Sequence, residues 1–274
     1  MRRAVLALAL VVGLAGCAAS DPSTLDVPAT TTTTAAGQAP VTAVPTTHRP
    51  ADGGGTAPAP RPGSSGTSGR PVGGPGSIAD LLLGPKGPSQ LVVQVLTQAG
   101  AEPRQATLDR VVAVLGQASG KPVRTIGGSV AGRTTWSGAD LRAAADAQAD
   151  SAALRLLFVH GRSDQGADVL GITVRGDVAA VFVDQVEAAA TGLVGPAVIE
   201  RAVTVHELGH VLGLVDLFLH TGRADPDHPG HSTNPRSVMY WAVESSLISD
   251  LLSGGPPQDF DDADRADLAT IRRG

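Results

Sequence analysis

Two histidines fall four residues apart in His206-Glu207-Leu208-Gly209-His210. On a helix of 3.6 residues per turn this spacing puts both imidazoles on one face, where they can share a single Zn²⁺. Glu207 then points toward the water that completes the metal's coordination and is placed to take its proton as a general base. Three fixed residues also arise by chance, so the neighbours matter. Gly213 follows His210 by three residues, and Ser237-Val238-Met239-Tyr240 lies downstream. A glycine there ends the helix and turns the chain, while Met239 reads as a packing residue rather than a ligand. The set predicts one catalytic Zn²⁺ and hydrolysis of peptide bonds by an activated water.

With these residues in view, HELGHVLG and the later SVMYW resemble the metzincin clan of zinc peptidases, close to matrixins and archaemetzincins. The resemblance runs from about Leu91 to Trp241. It implies an α+β, metzincin-like catalytic domain with a mixed twisted sheet of about five strands, one of them an antiparallel edge. An active-site helix and a methionine turn complete it. By the same resemblance His206 and His210 are metal ligands, Gly213 redirects the chain and Met239 lies under the metal. A polypeptide substrate would pair with the edge strand around Leu170 to Thr173, which makes Leu170 and Ile172 candidate substrate contacts. Tyr240 directly follows the methionine, as in matrixins, and with Trp241 is read as wall or packing beside the specificity pocket.

The third ligand stays open between two residues. Counting ten residues from His206 reaches Asp216, where the clan places histidine or, in a few members, aspartate. Counting back from Met239 reaches His231 instead. His231-Ser232 followed by Ser237-Val238-Met239 resembles the archaemetzincin spacing with serine at both cysteine positions, and makes 216–230 an insertion. Three neutral imidazoles would leave the ion its full charge, which favours His231, although two histidines and a carboxylate also work. His228 and His220 are weaker candidates, Asp225 and Asp227 read as loop-shaping, and His160 reads as a loop histidine.

The elements that must position these residues are legible as hydrophobic periods. Leu91 to Leu96, Pro122 to Ile126, Leu154 to Val159, Val169 to Val174 and Ala179 to Val183 read as strands. Arg175-Gly176-Asp177 joins the last two as an antiparallel pair. Helices are expected over Ala106 to Ala118, Gly138 to Gln148 behind a Ser137 cap, Pro196 to Leu212, and Phe260 to Arg272.

The N-terminal quarter reads differently. Arg2 and Arg3 precede an apolar run from Ala4 to Leu14, ending in Leu14-Ala15-Gly16-Cys17. This is a secretory signal over 1–17, too short for a stable span, and its end resembles a bacterial lipobox with Cys17 as the lipidated residue. Acyl chains there would anchor the protein in the lipid bilayer at about 0.8 kcal/mol per buried CH₂. Residues 18–77, rich in Thr, Pro, Gly and Ser, read as a disordered tether and 78–274 as the peptidase domain. The expected location is the outer face of a bacterial cell membrane. Cys17 is the only cysteine, so an intrachain disulfide is excluded, and the propeptide cysteine of secreted matrixins has no counterpart expected here. A net charge of −5 with scattered basic residues argues against nucleic acid as a partner. The alternative is a non-catalytic or narrowly specific cell-envelope binding lipoprotein on a metzincin-like scaffold. Glu207 argues against it, because a structural zinc site needs no base.

Overall fold

The computed structural model describes residues 73–148, 151–250 and 255–274. The signal peptide, Cys17 and most of the expected tether lie outside the described residues.

Five strands form one sheet because their sequences are apolar on both faces or alternate in step with the pleat. In space they run β2, β1, β4, β7, β6: β1 Leu91–Thr97, β2 Val123–Ser129, β4 Leu154–Val159, β6 Gly171–Arg175 and β7 Val178–Phe182. Neighbours are parallel except β6, which returns antiparallel to β7 and forms one edge. The architecture is therefore α+β with a five-stranded mixed sheet and one antiparallel pair. A short parallel pair, β3 Thr135–Trp136 with β5 Arg162–Ser163, sits apart from it. This pair was not expected, and two residues per strand leave no period to read.

Alternate residues of the sheet face two different cores. Leu91, Val93, Val95, Leu156, Phe158 and Val181 face helices α2 Gln105–Ser119 and α5 Pro196–Val211. Leu96, Leu157, Val159, Ala180 and Phe182 face Leu141 and Ala145 of α3 Gly138–Asp146. Helix α3 begins with the expected Ser137 cap, which forms a reciprocal box with Asp140. Two short helices, α1 Ala79–Leu83 and α4 Val183–Ala189, were not expected from the sequence; five and seven residues are too few to establish a helical period. Helix α6, Asp262–Arg273, closes the chain behind a second capping box between Asp261 and Asp264.

Helix α5 lies in the interior. Every residue from Ala202 to Val211 is buried, so its hydrophobic face has no solvent side to contrast with. Its one buried acid outside the motif, Glu200, is satisfied by the Arg104 backbone N–H, the Arg104 guanidinium and the Thr107 hydroxyl. That network ties the helix to the start of α2 and fixes its position along its own axis.

The packed chain also starts earlier than the expected boundary at Ile78. The Gly176 N–H donates to the Gly73 carbonyl at 3.2 Å. A Cβ on Gly76 would meet the Gly213 Cα at 2.8 Å, so two glycines let these backbones touch where α5 ends. Small residues in this stretch look like linker composition, yet here they permit close approach.

Candidate metal centre

The site is built from the end of α5 and from the chain that follows it. His206, Glu207 and His210 occupy the last turn and a half of the helix and are all buried. The His206 Nε2 and His210 Nε2 lie 3.0 Å apart. His206 Nδ1 lies 2.7 Å from the Val238 carbonyl. A carbonyl only accepts, so Nδ1 carries the proton and the lone pair on Nε2 is free to bind a metal. Burial, then the neighbouring His206, keep the His210 imidazole well below its ordinary range and hence neutral.

Beyond the helix the chain reverses sharply. Gly213 takes a left-handed φ of 78°, followed by Val215 at 50° and Asp216 at 65°. A side chain on Gly213 would collide with the Phe218 Cβ at 2.6 Å, so the turn requires glycine for space as well as for conformation. Asp216 then organises the loop. Its Oδ1 accepts from the Thr221 N–H, the Thr221 hydroxyl and the Gly222 N–H at 2.7, 2.9 and 3.0 Å, and its Oδ2 from the Ala224 N–H at 3.2 Å. These bonds outweigh the effect of burial and hold its carboxyl below the ordinary value. Asp216 is thus engaged as a loop cap.

His231 is the residue brought to the helix pair. Its ring stacks 5.2 Å from His206 at 20° and meets His210 edge-on at 4.8 Å. Its backbone is pinned on both sides: the His231 carbonyl accepts from the Asp225 N–H at 2.7 Å, and the next residue, Ser232, donates to the Met239 carbonyl at 2.8 Å. His228 points elsewhere, stacked on Trp241 at 4.5 Å. His160 pairs with Asp184 at 2.6 Å, in the loop that follows β4.

Met239 supports the pair from beneath. A Cβ on Gly209, inside the motif, would meet the Met239 Sδ at 2.1 Å, so methionine and glycine are a matched contact. The turn bearing Met239 is braced by α6. The Ser237 hydroxyl donates to Asp264 at 3.3 Å, and Arg223 reaches both Asp264 and Asp267. Burial first, and then the Asp261 charge, push the Asp264 carboxyl up to about 6.

Three contributors escape the sequence. Glu244 places Oε1 3.2 Å from His231 Nε2, and Oε2 3.5 Å and 3.9 Å from His206 and His210 Nε2. Burial would raise its carboxyl, but the His206 and His231 contacts outweigh it and keep it ionised, well below the usual range. Thr173, on edge strand β6, donates to the Glu207 carboxylate at 2.7 Å. Gly171, two residues before, leaves room for that carboxylate, since a Cβ there would meet Glu207 Oε1 at 2.6 Å. Strand parity alone could have found Thr173 and Gly171; no motif marks Glu244. Burial, and then the Glu244 charge, push the Glu207 carboxyl well up, and the Thr173 hydroxyl offsets part of the rise.

The candidate substrate contacts lie at and beside edge strand β6. Leu170 is buried in the main core, and Ile172 packs against the α3 side of the sheet. Tyr240 packs on the core, while Trp241 lines a cleft of about 400 Å³ with Asp168, Val169, His228, His231 and Glu244.

His206, His210, His231 and Glu244 each offer a ligand atom within 4.8 Å of the others. Tetrahedral zinc at about 2.0–2.1 Å from each nitrogen would set them about 3.4 Å apart, so the donor set fits that ion. His231 Nδ1 and Glu207 Oε1 are buried atoms with no hydrogen-bond partner within the protein, and His231 Nε2 faces only the Glu244 carboxylate. Such unpaired buried groups are costly unless something binds them.

No protein-family model matches the chain, and no curated protein matches it. Among solved structures it is similar to archaemetzincin from Methanopyrus kandleri, at 16% identity and a TM-score of 0.49, over 67% of this chain and 96% of that one. It is also similar to archaemetzincin from Archaeoglobus fulgidus complexed with malonate, at 17% identity and a TM-score of 0.39, over 66% of this chain and 99% of that one.

Proposed function

We propose that the chain is a zinc-dependent endopeptidase, exported and anchored to the outer face of the membrane through acylated Cys17. The observation that carries the enzymatic reading is the convergence of His206, His210 and His231 beside a buried carboxylate, Glu207, that ligates nothing. Zinc held by the three imidazoles supplies Lewis-acid activation of water and of the scissile carbonyl. Glu207 accepts the proton of the attacking water and returns it to the leaving amine, so the cut yields a carboxylate and an amine. Thr173 fixes its orientation. Asp216 serves as the loop cap that presents His231. The free edge of β6 gives an extended polypeptide a strand to pair with. Trp241, His228 and Asp168 would line the pocket that receives a side chain.

The anchor rests on the Leu14-Ala15-Gly16-Cys17 sequence and the tether on composition through 18–77. No helix among the described residues is long and apolar enough to cross a membrane. The non-catalytic alternative draws on the four-donor group, which counts like a structural site, but it leaves Glu207 and its Thr173 support without a purpose.

The test is zinc content and cleavage with the full chain. One bound zinc, cleavage of denatured polypeptide, loss with chelator and recovery with zinc are expected. Bound zinc with no cut anywhere in a broad peptide library would sink the endopeptidase. For the anchor, Cys17→Ser should move the protein from the membrane fraction to the soluble one.

A further inference from the structure

We infer that Glu244 is a fourth protein ligand that caps the resting metal centre, so that the site is self-closed until this one side chain swings away. The inference rests on the zinc-peptidase reading above and supplies its regulation.

Three nitrogen ligands leave a zinc ion one tetrahedral position, which a catalytic site keeps for water or substrate. Among the described residues Glu244 is the one carboxylate facing all three imidazoles, with its oxygens 3.2 to 3.9 Å from their Nε2 atoms. Glu207 is held from a different element, by Thr173 on β6. The two acids are therefore held by separate elements, Glu207 beside the ligand pair and Glu244 facing all three rings.

The reach of Glu244 is set by the fold. Its own carbonyl accepts from the Leu170 N–H at 2.8 Å, Ser245 bridges to Val169, and the Ser246 N–H donates to the Asp168 carbonyl at 3.0 Å. Val243, one residue before, is fully buried. The backbone is thus anchored to the chain leading into β6, directly beside the cleft. The side chain itself keeps 31% of its surface exposed. Withdrawal would need only its own torsions to turn, since the backbone on either side is held by the hydrogen bonds to 168–170. An incoming peptide that pairs with β6 arrives beside this anchor and competes for the same position.

The experiment loads the full chain with Co²⁺ and compares wild type with Glu244→Gln and Glu244→Ala. Visible absorption reports the ligand set, acetohydroxamate titration reports the open position, and cleavage of a denatured labelled polypeptide reports activity; far-ultraviolet circular dichroism checks the fold. Both variants should keep the metal, show a changed cobalt spectrum, bind acetohydroxamate about ten-fold more tightly or better, and cleave faster. A cobalt spectrum and acetohydroxamate affinity identical to wild type would overturn the cap. So would loss of cleavage in both variants with metal retained, because Glu244 would then serve the reaction itself. A wild type that binds neither cobalt nor zinc defeats the metal-site reading beneath it, a result distinct from both.

Discussion

Helix α5 and the chain from Gly213 to Ser246, irregular except for a 3-10 turn at Trp241–Glu244, each deliver side chains to the candidate metal centre, yet they hold them by different forces. The helix fixes His206, Glu207 and His210 by its pitch, and hydrophobic burial from Ala202 to Val211 fixes the helix. The loop has no such period. It holds His231 and Glu244 by individual hydrogen bonds: the Asp216 cap, Ser232 to Met239, Ser237 to Asp264, and Leu170 to Glu244. Burial is spread over many contacts, whereas each loop bond is worth about 0.5–1.5 kcal/mol and can be removed alone. The helical half should therefore set whether chemistry occurs, and the loop half how well the metal is held and presented.

Substitutions on the two sides sharpen that contrast. The largest effect belongs to the helix: Glu207→Gln should lower peptide hydrolysis by about 10²–10⁴-fold while zinc content is unchanged. A variant that loses zinc as well would show that Glu207 also holds the loop together. Next come the two loop residues, compared by chelator competition. His231→Ala should weaken zinc more than about 100-fold, and Asp216→Ala about 10-fold, the range of a residue acting through a ligand. Equal losses would erase the distinction between ligand and cap. Gly209→Ala probes the contact between the halves, since its methyl would strike the Met239 Sδ. Overpacking of about 1–3 kcal/mol should lower the thermal midpoint by roughly 3–10 °C. An unchanged midpoint would mean Met239 is loosely packed.

The smallest effect concerns the brace behind the loop. The Asp264 carboxyl is raised in the fold to about 6 from an ordinary 3.8, so the native state holds its proton more tightly than the unfolded chain. Its contribution is present below about pH 4 and is lost as pH rises through about 6. Asp264→Asn should flatten that part of the profile of thermal midpoint against pH, by a few degrees. A slope unchanged between pH 4 and 6 would assign it to another group.

The same division explains what the sequence disclosed. Strand and helix periods place the five sheet strands, α2, α3, α5 and α6 within a few residues, and the turn at Arg175-Gly176-Asp177 gives the antiparallel edge. The motif names the helical residues because a helix converts spacing into direction. In the loop, spacing carries no direction, so Asp216 and His231 compete on paper. The structure brings the His231 ring to the helix pair and engages Asp216 in the hydrogen bonds of the loop. Glu244 is farther still from legibility, since its place depends on pairing with Asp168 to Leu170, more than seventy residues away in sequence. On β6 the residues that touch Glu207 are Gly171 and Thr173, which the strand's alternation marks only once its facing is known.

The contact between Gly209 and Met239 has one further consequence, in redox terms. Thioether sulfur is among the first protein atoms to take up oxygen, becoming a polar sulfoxide. Met239 is fully buried, and its sulfur lies where even a methyl on Gly209 would not fit. An added oxygen has no room unless the turn separates from the helix. Sulfoxide at Met239 would therefore record moments when the centre had come apart, and intact thioether after exposure to peroxide would attest that it stayed whole.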